Sequence, residues 1–400
     1  MVDLWHCQGM ARVSDHRTHP AAAPTPARQG TIRDANLALL YRLIVDAPAP
    51  VSRAALAAVT GMTRATASAL ADALLAADLV QEVSPPPATG AGRPAAGLVP
   101  SSSGPVGLGL EINVDYLAAS VVDLAGRVRG TLTAHGDQRG RRPAEVLGDL
   151  AELAAQAREA ADAPDPVVAG TAVAVPGLVE ASRGRIRRAP NLRWEDMDIA
   201  HELRGLLPDA SFDPIVGNEA DFAALAEAHA SREHAALTDF LYVSGEIGVG
   251  AGIVLGSELF RGARGWAGEI GHVTVEPGGA SCRCGARGCL ETVAGLEALR
   301  RTGPEAAANP LGRAVAGAVN LLDLPAVVLG GVYARPEFAA ALLRGVEQTL
   351  AEHVVSARWA PVAVHTSQLG ETAAARGAAV AVVRRIHADP AGWLEVLTEA

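Results

Sequence analysis

The chain contains no lysine: all 34 of its basic residues are arginines, set against 44 acidic residues and a formal net charge of -10. GC-rich coding accounts for that preference without giving it a role. An acidic balance excludes a protein that coats nucleic acid over its whole surface, but leaves room for one small DNA-reading module on an acidic body. Aromatic residues are scarce, 4% of a chain that is 49% hydrophobic, so Ala, Val and Leu must build the cores. No apolar run reaches the roughly 20 residues that span a bilayer, and the first thirty residues lack an apolar signal core. A cytoplasmic protein with no membrane partner is expected. Cysteine is also rare, four in 400 residues, which excludes the disulfide framework of small secreted domains.

Where those cysteines stand is informative. Cys7 is alone in a polar tail, whereas Cys282, Cys284 and Cys289 fall within eight residues. Such tight spacing points to a metal. Nine residues separate the first of them from Gly271-His272. One imidazole and three thiolates complete the tetrahedral donor set of a structural Zn²⁺, with no open position for catalysis. Gly285 and Gly288 let the backbone turn so that the sulfurs converge. The alternative is three unrelated cysteines in a loop.

Four hundred residues imply two or three domains. Residues 1–29 hold Pro, Ala, His and Arg without periodicity and read as a disordered leader. Residues 30–100 read as a winged helix-turn-helix. Leu37, Leu39, Leu40, Leu43 and Ile44 recur near helical spacing. Ser52 caps a second helix, Gly61 allows a tight turn, and Thr63 caps a third helix with Leu70, Leu74 and Leu75 on its buried side. Leu79–Val83, a Pro/Gly-rich stretch and a strand near Leu98 would form the wing. Residues 101–105 read as a linker. Beyond them, Val106–Val128 and Asp239–Leu259 resemble one another, each a glycine-punctuated strand, a turn and a second strand. That repetition suggests a duplicated α/β unit. One lobe is expected over 106–218 and a second, with the metal motif, over 219–371, a C-terminal helix at 372–388 returning to the first.

Glu269-Ile-Gly-His272 followed by Cys-x-Cys-Gly-x-x-Gly-Cys-Leu-Glu291 closely resembles the signature of the ROK family of repressors, open reading frames and sugar kinases. The likeness runs from about Thr31 to Arg384. It takes in Val175-Pro-Gly-Leu-Val179, Ala189-Pro-Asn-Leu-Arg-Trp194, Asn218-Glu-Ala220 and Val328-Leu-Gly-Gly331. The resemblance implies an actin-like (ribonuclease H-like) pair of α/β lobes with a monosaccharide bound between them. Its hydroxyls would be held by Asn191, Asn218, Glu219, Glu269, His272 and Glu291. The zinc ligands would be His272, Cys282, Cys284 and Cys289, His272 using one ring nitrogen for the metal and turning the other to the cleft.

The phosphate-handling parts depart from the kinase pattern. Where the kinases resemble Asp-x-Gly-Gly-Thr, this chain has Glu111-Ile-Asn113-Val-Asp115, so side chains replace both glycines and a carboxylate stands where a phosphate would sit. Glu246-Ile-Gly248 replaces Gly-Thr-Gly, and Glu219 stands in place of the catalytic Asp. The expected function is a non-enzymatic, sugar-controlled transcriptional repressor, with Asn-Glu-Ala at 218–220 most like the pentose-sensing, xylose-type branch. Operator DNA, a monosaccharide effector and a second copy (a homodimer or dimer of dimers) are the expected partners. Candidate DNA contacts are Ser52, Arg53, Thr63, Arg64, Thr66 and Ser68, with Arg93 at a Gly-Arg-Pro wing tip suited to a narrow minor groove. The alternatives are an ATP-dependent sugar kinase using Glu219 as base, and a repressor governed by a protein partner.

Overall fold

The computed structural model describes residues 29–84, 96–162, 166–207, 212–231 and 237–399. The expected leader therefore lies almost wholly outside the described residues, and so does the wing tip with Arg93.

Three helices open the chain: α1 (Gln29–Val45), α2 (Arg53–Thr60) and α3 (Arg64–Ala76). Ser52 accepts from the Ala55 N–H and Thr63 from the Thr66 N–H, so α2 and α3 each begin on a hydroxyl cap. Gly61 ends α2 in the left-handed region at φ 72°, which fixes the turn between them. Leu37, Leu40, Tyr41, Leu56, Leu70 and Leu74 fill the space the helices enclose, each at most 4% exposed. Strands β1 (Val80–Val83) and β2 (Gly97–Pro100) pair antiparallel, and Val51 bridges to Leu98 to extend the ribbon. This is a winged head.

Residues 101–105, expected as a linker, are packed down. Ser101 is 2% exposed and its N–H donates to the Leu79 carbonyl, while Arg129 donates to the Ser102 carbonyl. The head is seated on the body by these short-range ties.

The first lobe is built from β3 (Val106–Ile112), β4 (Tyr116–Val122), β5 (Val128–His135), α4 (Pro143–Glu159), β6 (Val168–Val175), a small sheet of β7 (Leu178–Glu180), β8 (Arg185–Ala189) and β9 (Trp194–Asp198), then α5 (Ile199–Leu206) and β10 (Phe212–Asn218). After α6 (Glu219–Ser231) the second lobe has β11 (Phe240–Gly245), β12 (Val249–Leu255), β13 (Glu258–Leu259), α7 (Glu291–Ala294), α8 (Leu296–Thr302), α9 (Pro304–Leu322), β14 (Ala326–Gly331), α10 (Pro336–His353) and β15 (Ala363–Thr366). The chain closes with α11 (Ala373–Ala388) and α12 (Pro390–Glu399).

The two main sheets have one plan. Their orders are β5-β4-β3-β6-β10 and β13-β12-β11-β14-β15. In each, an antiparallel meander supplies three strands and two parallel strands extend the other edge. β3 and β4 are buried along their whole length, as strands covered on both faces must be. α4 covers one face and α11 the other, while α9 and α10 back the second sheet and α6 fronts it. Helices α6 and α11 pack together between the sheets. Gly109 explains how closely α11 lies on β3: a Cβ there would stand 1.9 Å from the Ala375 carbonyl oxygen.

Candidate effector cavity, metal cluster and DNA-reading face

A cavity of about 280 Å³ lies between the lobes. The structure brings all six candidate sugar residues to its wall: Asn191, Asn218, Glu219, Glu269, His272 and Glu291. Their positions follow from the elements that carry them. Asn218 ends β10 and caps α6, its Oδ1 accepting from the Ala220 N–H at 2.8 Å and its amide donating to the Gly177 carbonyl at 3.0 Å. Part of its hydrogen-bonding capacity therefore goes to positioning backbone. Glu219 follows at the first turn of α6, and its Oε2 is buried without a hydrogen-bond partner. An orphaned acceptor in a cavity wall is a place for a donor from a ligand. Burial pushes the Glu219 carboxyl well above the usual range, and the charges of Glu246, Glu111 and Glu269 push it the same way.

Two further residues at this cavity carried no signal in the sequence, nor did Trp266 outside its wall. Arg188 lines its wall. Arg283 donates from the second lobe to Asn191 Oδ1 at 2.6 Å. Trp266 donates its indole N–H to the Val179 carbonyl at 3.0 Å. The last two are hydrogen bonds across the cleft and hold the lobes together.

Among the described residues, His272, Cys282, Cys284 and Cys289 place one ligand atom each within 4.8 Å of the others. His272 Nδ1 lies 3.7 Å from Cys282 Sγ, and Cys284 Sγ lies 3.7 Å from Cys289 Sγ. A tetrahedral ion with metal–sulfur bonds of about 2.3 Å needs donors about 3.8 Å apart, so the cluster has the dimensions of such a site. Gly288 makes it possible: φ is 74° and a Cβ would stand 1.7 Å from the Glu276 carbonyl oxygen. His272 Nε2 faces Glu269 Oε2 at 3.9 Å, and Glu291 Oε1 is 3.9 Å from Cys282 Sγ. The metal cluster and the cavity wall thus share His272 and Cys284 and abut at Glu291.

Next to the large cavity, the hairpins β3–β4 and β11–β12 face one another with about 20 Å³ left between them. Glu111, Asn113, Tyr116, Glu219, Glu246 and Glu371 line that space, which holds about one water. Burial raises the carboxyls of Glu111 to about 7 and of Glu246 to about 8, each further raised by its acidic neighbours. Asp115, expected in this seat, turns outward to Arg139 at 2.8 Å because its position is the exposed corner of the hairpin. Glu111 and Glu246 are the carboxylates that occupy it.

On the head, Thr63, Arg64 and Thr66 are exposed along the start of α3, and Ser68 is half-buried. Ser52 is occupied as the cap of α2. The Arg53 guanidinium is held by Asp72 at 2.8 Å and by Glu82. Two carboxylates, one from α3 and one from the wing, turn it into a brace within the head.

Comparison with known proteins agrees with this architecture. Residues 107–307 match the ROK family, and the chain belongs to it. The xylose repressor of Caldicellulosiruptor bescii is 31% identical over 272 residues, covering 67% of this chain and 65% of that protein. The chain thus spans about two-thirds of that relative's length. A crystal structure of a ROK family transcriptional regulator, a homolog of the E. coli MLC protein, superimposes with a TM-score of 0.73 at 25% identity, covering 92% of this chain and 100% of the other. A ROK family glucokinase from Streptomyces griseus, in complex with glucose and AMPPNP, superimposes at 0.60 with 23% identity over 69% of this chain and 98% of its own. The lobes are accordingly actin-like, and the head is a winged helix-turn-helix. No described helix is long and apolar enough to cross a membrane.

Proposed function

We propose that this protein is a sequence-specific transcriptional repressor of sugar-metabolism genes whose operator affinity is set by a monosaccharide in the 280 Å³ cavity. One contrast carries the reading: a hydroxyl-binding cavity of monosaccharide size stands beside a phosphate position reduced to about 20 Å³ and lined by carboxylates. A space of about 20 Å³ leaves no room for a triphosphate. This contrast supports a domain that binds sugar without phosphoryl transfer, Glu219 offering its unpartnered oxygen to a ligand hydroxyl. Similarity to one protein named as a xylose repressor and to another named as a transcriptional regulator supports the same reading.

A structural Zn²⁺ held by His272, Cys282, Cys284 and Cys289 would fix His272 and Glu291 at the cavity wall. The coupling path to the head is physical. Glu219 begins α6, α6 packs on α11, and α11 starts where the Ala375 N–H donates to Glu111. The far end of α11 reaches the head, where His387 meets Tyr41 edge-on at 5.3 Å. Trp393 on α12 is 2% exposed and donates to the Ala77 carbonyl at 3.3 Å. A sugar that draws the lobes together tilts α6 against α11 and moves the head with it. Switching requires that the two lobe arrangements bind sugar with different affinity. Two such heads, on a homodimer or dimer of dimers, would read the halves of a palindromic operator.

Gel-shift titration with a panel of monosaccharides tests this. The expected outcome is an operator affinity that changes severalfold with one sugar. Measurable sugar binding with unchanged operator affinity contradicts it, as does sugar-dependent release of ADP from ATP that Glu219→Gln abolishes.

A further inference from the structure

The outward face of α3 is poor in groups able to hydrogen-bond to bases. Its exposed residues are Arg64, Ala65, Thr66, Ala69, Asp72 and Ala76, with Ala67, Leu70, Ala71 and Leu74 turned inward. The hydroxyls at its start are engaged with one another. Thr63 Oγ1 accepts from the Thr66 N–H at 3.1 Å and lies 2.9 Å from Thr66 Oγ1. Asp72 is engaged as well, holding the Arg53 guanidinium at 2.8 Å. Apart from the half-buried Ser68 hydroxyl, what remains for a base edge is the guanidinium of Arg64 and a strip of methyl groups. Ala65 and Ala69 stand four residues apart, so their methyls line one face.

A recognition helix of this kind lies in the major groove, where the only apolar group on any base pair is the C5-methyl of thymine. Burying Ala65 and Ala69 against cytosine or adenine amino groups, or against guanine acceptors, would strip water from polar atoms and return no hydrogen bond. We propose that Ala65 and Ala69 are specificity-determining residues that read thymine methyl groups, with Arg64 as the single strong polar anchor at the start of the helix. This rests on the repressor reading above and names what its operator must contain. Arg53, braced by two carboxylates, takes no part in base reading.

The test uses the full-length chain and duplexes selected from a random pool at fixed salt. Thymines in the recovered half-sites are then replaced one at a time by deoxyuridine, which removes only the methyl group, and Kd is read by fluorescence anisotropy. At thymines under the helix each replacement should weaken binding about fourfold, the value of one buried methyl group. Ala69→Gly should bind the uracil and thymine duplexes equally at its own position, with circular dichroism verifying that the head stays folded. Selective binding that is indifferent to every thymine-to-uracil change overturns the methyl-reading proposal and leaves the repressor standing. Recovery of no preferred sequence overturns both.

Discussion

Replacing Glu111 by Gln removes one ionisation while keeping a side chain's shape. Glu111 is 2% exposed on β3, and its Oε2 accepts the Ala375 N–H at 3.1 Å. Its Oε1 lies 2.7 Å from the Tyr116 hydroxyl, which lies equally close to the carbonyl oxygen of Glu371. A carbonyl can only accept, and a phenol has one proton. Both contacts are satisfied when Glu111 is neutral and donates to the Tyr116 oxygen. Burial favours the same state, lifting the carboxyl from 4.5 to about 7. A carboxyl whose pKa is raised by folding contributes stability that is fully present below its unfolded pKa and lost as pH rises through the folded value. For Glu111 the loss begins near pH 4.5 and is complete a little above 7. The lift from 4.5 to about 7 is worth on the order of 3 kcal/mol. Gln cannot ionise, its amide N–H can take the place of the donated proton, and its oxygen can still accept from Ala375. Glu111→Gln should therefore match the wild type at about pH 5 and exceed it by ~1–3 kcal/mol at about pH 8, read by urea denaturation at both values. Equal destabilisation at both pH values would refute the neutral-carboxyl argument.

Cys289→Ser should lose the roughly one equivalent of zinc per chain expected from a complete four-donor site, and abolish the sugar response, with metal content read by mass spectrometry. Glu269→Gln and Glu291→Gln replace carboxyl groups at the cavity wall by amides, and each should weaken sugar binding roughly tenfold in calorimetry; an unchanged affinity would remove that residue from the site. Trp393→Ala opens a cavity between head and body at a cost of ~3–5 kcal/mol. It should raise hydrogen exchange in α1 and α3 and uncouple sugar from operator affinity, while sugar binding itself survives.

The chain announced whatever depends on neighbours along it. Ser52 and Thr63 cap the helices that their positions suggested. The metal motif spans 18 residues from His272 to Cys289, and its glycines dictate the turn, so its convergence could be read without coordinates. The repeated hairpins gave away the duplicated sheets, since each unit buries its apolar strands in the same order. The candidate sugar residues were legible through the family resemblance, because short motifs at strand ends travel together with the fold that aims them.

Contacts between distant segments had no such trace. The bond from Arg283 to Asn191 joins residues 92 apart, and that from Trp393 to Ala77 joins residues 316 apart. Nothing in the periodicity of α12 says that it anchors the winged head, and nothing about Arg53 says that two carboxylates will claim it. The outward turn of Asp115 and the burial of Ser101 likewise depend on what packs beside them. Local propensity, capping and turn chemistry act over a few residues, so the amino-acid order alone determined the elements, the metal motif and the winged head. Which charges are neutralised, how narrow the phosphate seat becomes and how the head is coupled to the cleft were decided only when the sheets closed on α6 and α11. Desolvation and long-range packing have no value until that closure occurs.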